Sequence, residues 1–341
     1  MLETINMYVN LHNWPVNRTA VIAEVGVNHG GDEELAWEMI LSANKHGADF
    51  VKLQSFVIEE FLHPSLPYYS TSKSYELSLN KQRNLFQKAY ARGIKLITTP
   101  FDFQSLEMAE EFNPPAHKIA SMDNDNIPLI RKIAETKKPV LVSTGMASME
   151  EIQKITKIFD EAENNMMVLL HCVSDYPTKA EDINLKMLQY YNKTFNCPTG
   201  LSDHSIGLTS ALIAASLGAA VIEKHFTTDR SLVNRIPDAD HDISIEPSEL
   251  EELKLFCENI SVRMGSAPSQ PTGREVENKK NFRRGLYAKR DIVDGEVLSL
   301  DNVVLLRPVP CIPAGSWDNV VGKKFIKDIS KYKPIQNSDL E

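Results

Sequence analysis

The stretch Gly200–Phe226 reads GLSDHSIGLTSALIAASLGAAVIEKHF, and the fold turns on how it is parsed. A polar, turn-prone segment carrying Asp203 and His204 runs into an Ala/Leu/Ile helix of about three turns, which Gly218 ends. Ala219–His225 then reads as an apolar run of strand length that closes on the charged cluster Glu223-Lys224-His225. Two histidines therefore stand one strand–helix–strand unit apart, each where a strand gives way to a loop. If the strands are parallel neighbours, about 4.8 Å apart, both imidazoles emerge at one end of the sheet and can share one divalent metal. The alternative is two ordinary surface or hydrogen-bonded histidines, and the residues alone leave both open.

Working outward, the same alternation recurs. Ala20–Val25 reads as a buried strand, Glu33–Lys45 as a helix ended by Gly47, and Ala48–Gln54 as a second strand, which makes a βαβ unit with a parallel sheet. Further strands are expected at Ile94–Thr99, Ala116–Ser121, Pro139–Ser143, Met166–His171, Thr199–Leu201 and Ala220–Lys224. Helices are expected at Lys81–Ala91, about Gln104–Phe112 and Glu246–Ile260. Eight such repeats in about 250 residues is the arithmetic of a TIM (β/α)8 barrel. Ser55–Asn80, rich in Ser, Tyr and Pro, reads as a long loop, either a substrate wall or a surface excursion. The barrel is assigned to residues 1–262 and a linker to 263–281, whose small, polar Met264–Val276 carries Pro and Gly. Residues 282–341 form a small, mostly β domain, with β-like runs at Arg284–Ile292 and Val320–Asp328 and a turn at Asp294-Gly295.

With 341 residues the chain can bury a large core. A net charge of -9 and a pI near 5.6 argue against nucleic acid or an anionic membrane as partner. The opening MLETINMYVNLHNWPVNR has neither a basic start with an apolar core nor a spanning apolar run, so a cytoplasmic protein is expected. The cysteines, Cys172, Cys197, Cys257 and Cys311, are far apart and suggest neither a zinc knuckle nor disulfides.

Unusual polar residues gather at the C-terminal ends of the strands, where a barrel builds its active site. Strand alternation puts Lys52 and Gln54 on one face. Lys52 and Lys118, with the hydroxyls of Thr99, Ser121, Ser143, Ser174 and Ser202, suit a phosphate or carboxylate. Glu24 across the mouth can serve as general acid/base or bind a hydroxyl. A metal on His204 and His225, with at most one added carboxylate, keeps open positions and would act as a Lewis acid. The residues by themselves point to metal-assisted chemistry on a phosphorylated or carboxylated small molecule.

The motifs then become specific. Ile22–His29 with Gly31-Asp32 and Gly47–Gln54 resembles the opening of the sialic acid synthase family, the N-acetylneuraminate, legionaminate and pseudaminate synthases. The resemblance continues through Thr99–Asp102, Lys118–Ser121, Ser143–Met146, His171-Cys172, Tyr176–Thr178, Gly200–His204 and Glu223–Phe226. It ends in Arg283–Ala288, which is similar to the antifreeze-like (SAF) domain of these enzymes. It implies condensation of phosphoenolpyruvate (PEP) with the open-chain aldehyde of an N-acylated amino sugar such as N-acetylmannosamine, giving a nine-carbon 2-keto acid and phosphate. In such enzymes C3 of the enol attacks the aldehyde, water adds at C2, and the bond from C2 to the phosphate oxygen breaks.

Carried onto this chain, the resemblance implies that Lys52, Thr99, Lys118, Ser121, Ser143, Ser174 and Ser202 hold PEP. His204 and His225 would hold Mn²⁺, with Mg²⁺ or Co²⁺ as alternatives, and Glu24, Lys52 and Glu223 would be catalytic, Glu223 supporting the metal end. Gln54, Tyr176, Asp240 and Arg307 would contact the sugar, with Asp238 competing with Asp240. A domain-swapped homodimer is implied as well. This chain departs from the family pattern at Ser174, where many relatives carry Asn, at Met122-Asp123 in place of Gly-Glu, and at Pro308–Pro313 after Arg307. Two other readings compete. One is a metal-dependent barrel hydrolase or isomerase, which would need a fuller metal cage. The other is a non-catalytic glycan-binding relative.

Overall fold

The computed structural model describes residues 18–341; the N-terminal lead discussed above, through residue 17, lies outside the described residues. The chain divides into two compact units, with the second running from Gly265 to Glu341. In the first, eight parallel strands close in sequence order into a barrel. They are β1 (Ala20–Gly26), β2 (Phe50–Ser55), β3 (Leu96–Pro100), β4 (His117–Ile119), β5 (Val140–Ser143), β6 (Met167–Cys172), β7 (Thr199–Asp203) and β8 (Val221–His225).

Helices fill the connections: α1 (Glu33–Lys45), the short α2 (Ile58–Phe61) and α3 (Tyr69–Tyr75), α4 (Leu79–Ala91), α5 (Phe103–Glu110) and α6 (Ile127–Glu135). They continue with α7 (Met149–Glu161), α8 (Met187–Phe195), α9 (Thr209–Ser216) and α10 (Pro247–Met264). The stretch read as one long loop, Ser55–Asn80, thus contains two short helices. β7 runs two residues further than its apolar pattern indicated, because Ser202 and Asp203 are paired across to β8. β4 is shorter than expected, and Ser121 opens a 3-10 turn beyond its end.

Alternation explains why the site is where it is. On β1, β2 and β8 one file of side chains points inward, through Ala20 and Ile22, Phe50, and Val221, into an apolar plug with Ile97, Leu141, Val168 and Leu170. The next inward positions along the same files are Glu24, Lys52 and Glu223, so charge begins directly above a dry floor. The other file (Val21, Ala23, Val51, Leu53, Ile222) packs outward against α1, α4, α9 and α10 as the main core. Helix starts are locally encoded: Asp32 caps α1 through the amides of Glu34 and Leu35, and Ser148 with Glu151 forms a capping box on α7.

The loop after β1 needs close backbone approach. Gly31 has φ +79, and a Cβ there would strike the Ser74 carbonyl oxygen. Beside it His29 is 1 % exposed, its Nδ1 accepting the Gly31 N–H at 3.0 Å and its Nε2 without a hydrogen-bond partner. Burial pulls its pKa down to about 4. The protonated form is thus disfavoured in the fold, so this contribution is fully present above pH 6.5 and is lost as the pH falls towards 4. We expect about 3 kcal/mol of stability to disappear across that window. Denaturant midpoints for the native protein and His29→Gln, compared between pH 7 and pH 4.5, check this; parallel pH profiles for the two would contradict it.

The second unit has its own core, including Leu286, Ala288, Ile292, Leu298, Val303, Phe325 and Ile335. Its two-stranded antiparallel sheet pairs β9 (Gly285–Ala288) with β10 (Val303–Leu306). Two expectations are corrected here. The linker region holds a helix, α11 (Gly273–Phe282), because Thr272 and Glu275 form a capping box that outweighs the loop-like composition. Among the described residues Val320–Asp328 is not a strand and makes only isolated bridges, Val297 with Lys324 and Phe325 with Leu340. No helix among the described residues is long and apolar enough to cross a membrane.

Candidate active site

The barrel mouth contains a buried network of four charges. Lys52 Nζ lies 2.8 Å from Glu24 Oε2 and 3.6 Å from Glu223 Oε2, while Lys118 Nζ lies 3.7 Å from Glu223 Oε1. All four side chains are nearly inaccessible to water. The register sets this up, since Glu24 is the Cα partner of Lys52 on one side and of His225 on the other. Lys52 donates to Thr99 Oγ1 at 3.1 Å, and Lys118 donates to Ser143 Oγ at 2.6 Å. Ser202 donates to Glu223 Oε1 at 2.9 Å and Gln54 Nε2 to Glu24 Oε1 at 3.4 Å.

The electrostatics separate the two carboxylates. Burial raises the Glu24 pKa, with Lys52 only partly opposing it. Glu223 feels burial as well, but Lys118, Lys52 and the Ser202 hydroxyl outweigh it and bring it down to about 2. For Lys52 the burial penalty is outweighed by Glu223 and Glu24, so its pKa rises; for Lys118 burial wins and the pKa falls. With two ammonium groups and two carboxylates, the network is neutral when all four are charged and carries one net positive charge when Glu24 holds a proton. Neutrality follows from alternation, which places Glu223 on the same inner file as His225.

Ser121 and Ser174 converge with the Gly145 backbone. The Gly145 N–H donates to Ser121 Oγ at 3.0 Å, and a Cβ at Gly145 would lie 2.7 Å from Ser121 Oγ and still closer to Ser174 Oγ. The space kept free by glycine is a small polar cradle of the kind an anion's oxygens fill.

The histidines come together as expected. Their ring centroids are 5.4 Å apart, within the roughly 4.5–5.5 Å required of two imidazoles on one ion with bonds near 2.1 Å. His204 Nδ1 donates to the Val173 carbonyl at 2.8 Å, which fixes the tautomer that leaves Nε2 as a ligand nitrogen. His225 Nδ1 is buried without a hydrogen bond, and Asp240 Oδ2 lies 3.4 Å away. Burial, then the proximity of His204, keep the His225 pKa well below its usual value, so the ring is neutral and able to ligate. These donors fit a divalent ion with open positions, although no group of three or more His, Cys, Asp or Glu among the described residues forms a fuller cage.

Of the carboxylates near the histidines in sequence, Asp203 faces the other side of the sheet and pairs with Lys224, and Glu223, two residues before His225, pairs with the two lysines. Asp240 is the carboxylate at the histidines, whereas Asp238 is exposed. Tyr176 stacks on His204 at 4.0 Å and meets His225 edge-on at 6.0 Å. Arg307 is exposed at the end of β10 in the second unit.

Sequence reasoning missed three contributors. Asn28 donates to the Phe226 carbonyl and to Ser244 Oγ, both at 2.9 Å, and Ser244 donates to the Asp240 carbonyl at 2.6 Å, holding the Asp240 segment beside β8. The Gly145 amide and the Val173 carbonyl are main-chain groups, which side-chain identity does not advertise. Asn28 was visible only as part of the motif Val27-Asn28-His29.

Comparison with known proteins accords with this arrangement. The chain is 39 % identical to an uncharacterised protein of Methanocaldococcus jannaschii over 94 % of each chain. It is 35 % identical to the N,N'-diacetyllegionaminic acid synthase of Campylobacter jejuni, over 94 % of this chain and all of that protein. Among solved structures, the N-acetylneuraminic acid synthetase of Leptospira borgpetersenii in complex with citrate superposes with a TM-score of 0.71 at 36 % identity, over 76 % of this chain and 90 % of the other. The SAF domain profile matches residues 283–341, and the NeuB family profile matches residues 39–268. The chain belongs to the NeuB family and carries an SAF domain at its C-terminal end.

Proposed function

We propose that the protein is a PEP-dependent nonulosonate synthase, a C–C bond-forming transferase. It would join PEP to the aldehyde of an N-acylated amino sugar and release a nine-carbon 2-keto acid and phosphate. The observation that carries this reading is the single barrel mouth in which the Lys52–Glu24–Glu223–Lys118 network, the Ser121–Gly145–Ser174 cradle and the two imidazoles meet. Similar proteins named legionaminic, pseudaminic and N-acetylneuraminate-9-phosphate synthases support it.

In this reading Lys52 and Lys118, with Thr99, Ser143 and Ser202, hold the PEP carboxylate and phosphate, and Ser121, Ser174 and the Gly145 amide take phosphate oxygens. Glu24, whose pKa is raised, carries the proton exchanged with the acceptor oxygen or the attacking water, while Glu223 stays ionised and keeps both lysines in place. Gln54, Tyr176 and Asp240 orient the sugar, and Arg307 acts on it within a homodimer. A divalent ion on His204 and His225, Mn²⁺ foremost, would polarise the aldehyde, a contribution of several kcal/mol. A neutral network also gives that ion a second role, since the highly anionic PEP needs positive charge beyond the two lysines.

The test is phosphate release from PEP with Mn²⁺ and a panel of N-acyl amino sugars. Release that depends on the sugar and stops with EDTA supports the proposal. Sugar-independent hydrolysis, or no release with any acceptor, would refute it in favour of a hydrolase or a binding protein respectively. A mass measurement in solution checks the dimer. Gly145→Ala gives a sharper check on the phosphate cradle, because the φ at Gly145 is not left-handed and the methyl meets only the side chains of Ser174 and Ser121, which must turn out of the cradle to admit it. The KM for PEP should rise about tenfold or more, equivalent to roughly 1.4 kcal/mol, with the melting temperature little changed; an unaltered KM would place the phosphate elsewhere.

A further inference from the structure

Behind the two imidazoles, on the outer face of the same two strands, lies an ion pair that the proposed chemistry does not use. Lys224 Nζ is 3.0 Å from Asp203 Oδ2, and both side chains are buried, Lys224 completely. The two residues are Cα partners across β7 and β8, and each precedes one of the histidines.

Their remaining hydrogen bonds converge on a single residue. Asp203 Oδ1 accepts the Ser205 amide at 2.9 Å and the Ser205 hydroxyl at 2.7 Å, and Lys224 donates to the Ser205 carbonyl. With its hydrogen given to Asp203, Ser205 Oγ accepts from the Ser210 hydroxyl, 3.0 Å away at the start of α9. His204 is thus held on both flanks, at Asp203 and Ser205, and both anchors are tied to Lys224, the residue before His225.

A buried pair of this kind adds little net stability, because desolvating two ions consumes most of their attraction. What it supplies is geometry: it fixes where the main chain of His204 stands relative to the main chain of His225. Two imidazoles sharing one ion tolerate errors of only a few tenths of an ångström, and supporting groups behind the ligands typically govern metal affinity by about 10- to 100-fold.

We propose that Asp203 and Lys224 are positioning residues that set the spacing of His204 and His225 for the divalent ion. This rests on the metal reading given above. The pair acts on metal affinity and leaves in place the two lysines that hold PEP, which stand on β2 and β4; of the PEP groups only Ser202 shares its strands, and Ser202 points to the inner face.

The experiment uses the full chain, with Mn²⁺ binding followed by the free-ion EPR signal and PEP binding by calorimetry in EDTA. The double variant Asp203→Leu/Lys224→Met removes both charges, so no buried ion is left unpaired. It is expected to bind Mn²⁺ about 10- to 100-fold more weakly, with PEP affinity in EDTA within about threefold and activity recovering as Mn²⁺ is raised. Native Mn²⁺ affinity in the folded double variant overturns the proposal while leaving the metal reading intact. If the native protein binds no Mn²⁺, and His204→Ala behaves identically, the metal reading fails and the proposal fails with it. Should the double variant not fold, Lys224→Arg keeps the charge on a planar fork of different reach. It should weaken Mn²⁺ binding and alter the bound-ion EPR spectrum at an unchanged melting temperature, and an unchanged affinity and spectrum would overturn the proposal equally.

Discussion

Lys52→Met should lower kcat/KM for PEP by roughly a thousandfold or more, the scale of losing a pre-organised charge at the reacting centre, and should also be the least stable of the variants considered. Lys52 is the ion partner of Glu24 at 2.8 Å and one of two ammonium groups facing Glu223. Removing it leaves a buried carboxylate above an apolar floor, a loss of about 3–5 kcal/mol when one member of a buried pair is deleted. Adding Glu24→Gln should return most of that stability, because the orphaned charge goes with it, and none of the activity. Urea unfolding and phosphate release on both variants measure the two effects separately. Turnover of Lys52→Met within tenfold of the native value would remove Lys52 from the chemistry.

His225→Ala should abolish sugar-dependent phosphate release and reduce Mn²⁺ affinity by about a hundredfold or more, the loss of a ligand exceeding that of a supporting group. The ring is neutral in the fold, so its loss orphans no charge, and the stability penalty should be much smaller than for Lys52→Met. PEP binding in EDTA should survive, since the lysines and hydroxyls are on other strands. Calorimetric titrations of Mn²⁺ and PEP against the variant decide this. Unchanged turnover would overturn the metal assignment, and joint loss of both ligands would show that the histidines support the barrel rather than the ion.

The barrel and its mouth were largely legible in the sequence because alternation is a strict rule. Once β2 and β8 are placed, Lys52 and Glu223 must face inward, and register does the rest. The main-chain parts of the site left no comparable signal: the Gly145 amide and the Val173 carbonyl depend on how loops turn, which side-chain identities do not encode. Alternation also turns Asp203, beside His204 in sequence, outward to Lys224. Asp240 came with the family resemblance and not from the residues themselves, with Asp238 left competing; in the structure the Asn28–Ser244 hydrogen bonds fold that segment back so that Asp240 reaches His225. The α11 helix was hidden by a loop-like composition, although Thr272 and Glu275 carried the start signal.

Glu24 and His225 face each other across β1 and β8, the seam where the ring of strands shuts. A nascent chain lacking its eighth strand would already possess both lysines and all five hydroxyls, but neither Glu223 nor His225, the second of the two imidazoles proposed to hold the ion. On the proposed reaction, turnover would report that the circle is complete, and chains ending before β8 should release no phosphate from PEP.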